Sequence, residues 1–216
     1  MSDSEPDAAP GRNSRRRVLI IVLGAVVICS AAALFVAIRL QRHHIPKWPG
    51  WVGYTVVKSP NFNQRPPDGV VNCIVLHSTA QPLFVDTIKR FEDPTTKVSA
   101  HFVVDRDGTV VQMVPLTERA WHAGVSSFDG VDGVNDYSIG IEMTNMNDGK
   151  DPYPEAQYKA VAEIIRRCRQ HYDIPNNRIV SHAEVALPPG RKTDPKGFKF
   201  KKLLKLLDEK GGQHEE

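Results

Sequence analysis

Five polar residues in this chain of 216 are of types that can hold a metal ion and move a proton beside it: His77, Glu142, His182, Lys192 and Asp194. His77 follows the apolar run VVNCIVL and His182 follows RIV, so each stands at the end of a strand-like segment. Strand ends far apart in sequence can meet at one edge of a sheet, and a Pro-Pro-Gly loop can return Asp194 to the same edge. Two imidazole nitrogens and a carboxylate oxygen make a tetrahedral zinc site with a fourth position open to water. Glu142 follows SIGI among apolar neighbours, where a buried carboxylate is costly without a partner. Beside a metal-activated water it could accept a proton and hand it to a leaving amine. Lys192, two residues before Asp194, reaches the same cleft from an extended loop, and its ammonium could steady an oxyanion.

Plainer readings stand beside these. A strand-end histidine is commonly a hydrogen-bonded core or surface residue, and His43, His44, His171 and His214 fit that description. Alternation could turn Glu142 toward water, and Gly190-Arg191-Lys192 could be a solvated turn. The separation of His77 from His182 is not diagnostic in itself, unlike two histidines one helical turn apart.

The elements that must position these groups follow from periodicity. Residues 70–79 read as a strand covered on both faces, and 83–92 as a short helix with Phe84, Ile88 and Phe91 on one side. VSAHFVVDRDGTVVQMVP reads as a hairpin turning at Asp107-Gly108. YSIGIEMTN is a further strand. After Pro154 the stripe Tyr158, Val161, Ile165, Cys168 and Tyr172 predicts an amphipathic helix. RIVSH is the last strand, with His182 closing it, and Phe200, Leu203, Leu204 and Leu207 mark a final helix that packs on the core. The expected fold is α/β, or α+β by some criteria: one central mixed sheet flanked by helices and preceded by a single N-terminal transmembrane helix.

That transmembrane expectation rests on residues 18–38, an apolar run without a formal charge whose helical length of roughly 30 Å matches one bilayer crossing. Basic residues flank it on both sides, so charge alone does not orient it. A cleaved signal peptide ending near Ala31-Ala32-Ala33 is the competing reading; lipidation at Cys29 has a poor sequence context. Residues 1–17 read as a polar tail, 39–69 as an irregular juxtamembrane and packing arm holding Trp48, Trp51 and Tyr54, 70–210 as one catalytic domain, and 211–216 as a flexible C-terminal tail. Net charge is only +3, with basic residues dispersed among acids, which gives no footprint for nucleic acid. No CxxC occurs, and Cys73 and Cys168 are expected as buried free thiols.

The blocks IVLHSTA (74–80), SAHFVVDRDGTVVQMVP (99–115), AWHAG (120–124), YSIGIEMTN (137–145) and SHAEVALPPGRKTDP (181–195), taken in order, resemble the zinc-dependent N-acetylmuramoyl-L-alanine amidases. This is the type-2 amidase family related to peptidoglycan recognition proteins and phage amidase lysozymes. The resemblance implies one zinc ion on His77, His182 and Asp194, Glu142 as catalytic base and Lys192 stabilising the transition state. It places His101, Trp121 and His122 in or near the substrate cleft. The implied reaction is hydrolysis of the amide between N-acetylmuramic acid and L-alanine in peptidoglycan or its fragments. The alternative is a module that binds muramyl peptides without turnover. Where the family often continues Asp-Pro-Gly after its ligand aspartate, this chain has Asp194-Pro195-Lys196-Gly197, which could reshape the cleft rim. With the apolar run, the resemblance implies a single-pass membrane protein whose catalytic domain faces the periplasm or wall.

Overall fold

A computed structural model describes residues 54–209. The run read as transmembrane, both tails and the aromatics Trp48 and Trp51 lie outside the described residues; among those described, no helix is long and apolar enough to cross a membrane.

The described residues form ten strands: β1 (Tyr54–Val56), β2 (Phe62–Gln64), β3 (Cys73–Ser78), β4 (Phe102–Val104), β5 (Val110–Gln112), β6 (Glu118–Ala120), β7 (Ser127–Phe128), β8 (Val131–Asp132), β9 (Ser138–Met143) and β10 (Ile179–Ser181). The helices are α1 (Phe84–Glu92), α2 (Glu155–Arg169), the single turn α3 (His182–Val185) and α4 (Phe200–Asp208). Six strands make the central sheet in the order β1-β5-β4-β9-β3-β10. Only the β4–β5 hairpin is antiparallel within it; every other neighbouring pair is parallel. The sheet is mixed and carries helices, as expected from the sequence. The stretch read as an irregular arm nonetheless contributes two strands, β1 along the sheet edge and β2 paired with β6. At three residues each they are too short to show a period, and their pairing depends on partners more than fifty residues away.

The central strands β3, β9 and β4 are covered on both faces: β4 (Phe-Val-Val) and the first four residues of β3 (Cys-Ile-Val-Leu) are continuously apolar, while β9 (Ser-Ile-Gly-Ile-Glu-Met) alternates between apolar and small or polar residues. Ile74, Leu76, Ile139, Ile141 and Met143 point to one face, all fully buried. Helix α2 packs against β4 and α4, burying Val161, Ala162, Ile165 and Cys168, and the buried Gln157 Nε2 donates to the carbonyls of Val104 and Thr144 beyond the strand ends. On the opposite face Cys73 and Val75 of β3 join Val180, Ala123, Val134, Tyr137 and Val185 in an apolar cluster. Alternation puts His77 next on that same face. Among the described residues, Cys73 and Cys168 are free and buried.

Candidate active site

In the β3–β9 register His77 stands opposite Glu142, and β4 places Val103 on Glu142's other side. Residues opposite one another in register share a face, so the imidazole and the carboxylate point the same way near the C-terminal ends of two parallel strands. His182 begins immediately after β10, which pairs with β3 on the other flank. All three groups thus gather beyond the carboxyl ends of parallel strands, the usual place for a ligand crevice in such sheets.

His182 does not close a strand, as its sequence suggested; it opens α3. Ser181 caps this turn reciprocally: its Oγ accepts from the Glu184 backbone N–H at 3.1 Å, while its own N–H donates to Glu184 Oε2 at 2.7 Å. The Ser-His-Ala-Glu run is a capping box, a local signal that fixes where His182 leaves the sheet. Asp194 returns through the loop after α3 and is fastened there by its carbonyl, which accepts from Ala183 N–H at 3.0 Å.

These three side chains are buried and converge. Asp194 Oδ2 lies 3.1 Å from His182 Nδ1 and 3.4 Å from His77 Nδ1, and the two imidazole centroids are 4.4 Å apart. One ligand atom from each residue falls within 4.8 Å of the others, so the cluster could bind a metal ion. The hydrogen-bond inventory tests the fit. His182 Nε2 faces the Ala123 carbonyl at 3.2 Å and must carry a proton there, which leaves the Nδ1 of a neutral imidazole as a bare lone pair aimed at a carboxylate oxygen. Such a contact needs positive charge between the two atoms. Burial pushes His77 down to about 4 despite its carboxylate neighbour, so a second proton is disfavoured on that ring and a cation suits the set.

Glu142 is held differently. Its Oε2 is buried without a hydrogen-bond partner among the described residues. Burial first, and the negative charge of Asp194 second, push its carboxyl up to about 8, with Lys192 and Arg90 opposing. Burial would also raise Asp194, and it is positive charge on the side of His182 and His77 that outweighs burial and holds it below the ordinary carboxylate range. Two carboxyl groups in one cleft are thereby driven apart, one toward the charged form and one toward the protonated form.

The cleft encloses about 490 Å³, and His182, Asp194, Glu142, Lys192, Trp121 and His122 line it, as do Arg90 and Arg191. Lys192 is exposed on its rim. Trp121 is half-buried, its indole N–H donating to Asn63 Oδ1 at 2.7 Å. His77 forms the floor beneath, 1% exposed. His101, read from sequence as in or near the cleft, is fully buried and outside the cleft lining, its ring centroid 5.8 Å from that of His122. His101 Nδ1 accepts from Gly140 N–H at 3.0 Å, while its Nε2 lies 3.1 Å from the Glu118 carbonyl oxygen and 3.0 Å from Arg65 Nη2, so it links β9 to β6 in the core. Beside it the buried Arg65 guanidinium donates to the carbonyls of Leu116, Asn135, Asp136 and Ser138. Burial lowers Arg65 to about 10. Sequence reasoning does not single out Arg90 or Arg191, since an arginine on a helix or in a polar loop carries no local mark of a cleft.

Comparison with known proteins agrees with this geometry. Residues 65–197 match the N-acetylmuramoyl-L-alanine amidase family. The chain is 39% identical over 167 residues to the 1,6-anhydro-N-acetylmuramyl-L-alanine amidase AmpD of Escherichia coli, covering 68% of this chain and 87% of that protein. Among solved structures it resembles a selenomethionine derivative of AmpD, with a TM-score of 0.64 and 32% identity over 76% of this chain and 99% of the other. It also resembles E. coli AmiD in complex with the substrate anhydro-N-acetylmuramic acid-L-Ala-D-γ-Glu-L-Lys, with a TM-score of 0.58 and 28% identity over 66% of this chain and 60% of that one. With the fold, the catalytic-type cleft and most of the described chain accounted for in this way, the protein belongs to the N-acetylmuramoyl-L-alanine amidase family.

Proposed function

We propose that this chain hydrolyses the amide between the lactyl group of N-acetylmuramic acid and L-alanine, with one zinc ion held by His77, His182 and Asp194. The observation that carries the reading is the convergence of those three side chains beside Glu142, whose buried oxygen has no partner among the described residues. Nitrogen and carboxylate donors of this kind suit zinc, and a three-ligand site lends Lewis acidity and an acidified water to the reaction.

The chain's own groups do the rest. Glu142, desolvated and therefore basic for a carboxylate, takes the proton from the attacking water and delivers it to the departing alanine nitrogen. Lys192 brings its charge from the rim to the carbonyl oxygen as negative charge develops there. Trp121 offers an apolar surface at the cleft wall, and its bond to Asn63 fixes the ring's tilt. Arg90 and Arg191 add positive charge to the lining, which suits the carboxylates of a stem peptide. Muramyl peptides, including the anhydromuramyl forms on which the similar proteins act, are the proposed substrates, and intact peptidoglycan is a candidate for the same cleft.

The proposed location is the cell membrane, anchored through residues 18–38, with the domain facing the periplasm or wall. The apolar run and the substrate's own location support this. Membrane fractionation with and without 18–38, followed by protease accessibility in spheroplasts, decides it; a protein that stays in the soluble cytoplasmic fraction refutes it.

The activity is tested by incubating the purified full-length chain, metal-free or with stoichiometric zinc, with an anhydromuramyl tripeptide and following products by mass spectrometry. Zinc-dependent release of the L-alanine-terminated peptide is the expected result. Binding of the muramyl peptide by a zinc-loaded chain without any release would overturn the hydrolase reading in favour of recognition.

A further inference from the structure

His122 lines the cleft, but its hydrogen bonds point away from substrate and toward the metal-site histidines. His122 Nδ1 lies 3.0 Å from His77 Nε2, and His122 Nε2 lies 3.2 Å from Ser138 Oγ. Ser138 Oγ in turn sits 2.6 Å from the Val134 carbonyl oxygen. Two oxygens that close must share a proton, and the carbonyl has none, so the hydroxyl hydrogen belongs to Ser138 and points at Val134. Ser138 is then an acceptor toward His122, whose Nε2 must carry a hydrogen. The Nδ1 of neutral His122 is left as a lone pair, and it accepts from His77 Nε2–H. Every proton in the relay from Val134 to His77 is assigned, and its last consequence is that His77 keeps Nδ1 bare and directed at Asp194.

The next residue does the same for the other imidazole, since the Ala123 carbonyl faces His182 Nε2. Both backbone N–H groups of this dipeptide are held by one side chain: Asn135 Oδ1 accepts from His122 N–H at 3.2 Å and from Ala123 N–H at 2.9 Å. Room for the ring comes from β9, where a Cβ on Gly140 would lie 2.5 Å from His122 Cγ.

We infer that His122-Ala123 is a positioning dipeptide that locks both metal-site histidines in the tautomer whose Nδ1 faces Asp194, and that His122 acts through His77 rather than on substrate. This rests on the metal-site reading above. Partners that orient ligand histidines typically contribute 10- to 100-fold to metal affinity.

The test uses the full-length chain and two variants. His122→Phe keeps a ring of similar size and removes the acceptor, whereas His122→Asn returns an oxygen near the place of Nδ1. Zinc affinity is measured by chelator competition, and the His77 tautomer of the metal-free chain by long-range proton–nitrogen NMR. Expected are a 10- to 100-fold weaker zinc affinity and loss of the single Nε2–H form of His77 in His122→Phe, with most of both recovered in His122→Asn. An unchanged His77 tautomer in folded His122→Phe overturns the inference. Should the wild-type chain fail to hold zinc, the metal reading falls while the tautomer measurement still decides the role of His122.

Discussion

Gly140→Ala should act on the site through a single contact. The added methyl would lie 2.5, 2.7 and 2.8 Å from Cγ, Cδ2 and Nδ1 of His122, where carbon contacts settle near 3.5–4.0 Å. The ring must retreat by about 1 Å. Because the methyl rises from the strand beneath it, that retreat is away from the sheet, and a shift of this size takes the 3.0 Å contact with His77 beyond hydrogen-bonding range. Overpacking costs about 1–3 kcal/mol and the lost hydrogen bond about 1 kcal/mol. Removing a flexible glycine from a strand returns about 0.5–1 kcal/mol. The net expectation is a fold weakened by about 1–3 kcal/mol, read as a lower urea midpoint of the metal-free chain at unchanged slope. A double-mutant cycle isolates the cause. His122→Ala removes the ring that the methyl strikes, so the two substitutions together should be less harmful than their sum by about 1–3 kcal/mol. Additive effects would refute the reasoning, since they would mean that the methyl acts on something other than His122.

The site's division of labour predicts that Glu142→Gln keeps zinc but loses about 100- to 10,000-fold in hydrolysis, whereas His77→Ala loses zinc as well; metal analysis beside product release separates the two, and near-wild-type turnover in either would contradict the proposed roles. Metal-free stability should peak near pH 6.5. Below it, His77, His101 and His122, all depressed by burial, refuse protons that the unfolded chain accepts, so stability falls with falling pH by about 1.4 kcal/mol per unit for each proton refused. Glu142 works the other way: its raised carboxyl favours the fold at low pH, and that stabilisation is lost as pH rises from about 4.5 toward about 8. Urea midpoints from pH 5 to 8.5 should therefore rise and then fall, and Glu142→Gln should flatten the alkaline limb; stability that climbs steadily through pH 8 would count against it. Burial pushes both Cys73 and Cys168 thiols up to about 12, so an aromatic disulfide reagent at pH 7.5 should modify them only as the chain unfolds, and fast labelling of the native protein would show that one is accessible.

The sheet was legible because burial on two faces leaves a strong imprint. Apolar runs marked β3 and β9, the Asp107-Gly108 turn marked the hairpin, with Gly108 at φ +90°, and the stripe through Val161, Ile165 and Cys168 marked α2. Strands β1 and β2 left no such imprint. They are edge elements of three residues whose pairing is decided by distant partners, and no local period encodes that. Nor does the Pro-Pro-Gly loop announce that Leu187–Pro188 and Asp194–Pro195 are cis.

The five residues first singled out do gather in one crevice, because strand ends were the signal and parallel strands bring their ends together. What sequence could not supply was the difference between His101 and His122. Both are histidines beside apolar residues, and both were read as in or near the cleft. The distinction lies in which nitrogen faces which partner: His101 spends its two nitrogens on backbone groups of β9 and the Glu118 carbonyl, while His122 spends one on His77. Two local signals did point to this arrangement. Gly140 stands in the interior of a strand, where a glycine often marks a close approach, and here the approaching group is the His122 ring. Ser181-x-x-Glu184 is the capping box that turns the chain out of β10 at His182. One glycine and one cap thus set where both imidazoles stand, and a search of similar chains for the metal pair should find these small residues as informative as the histidines themselves.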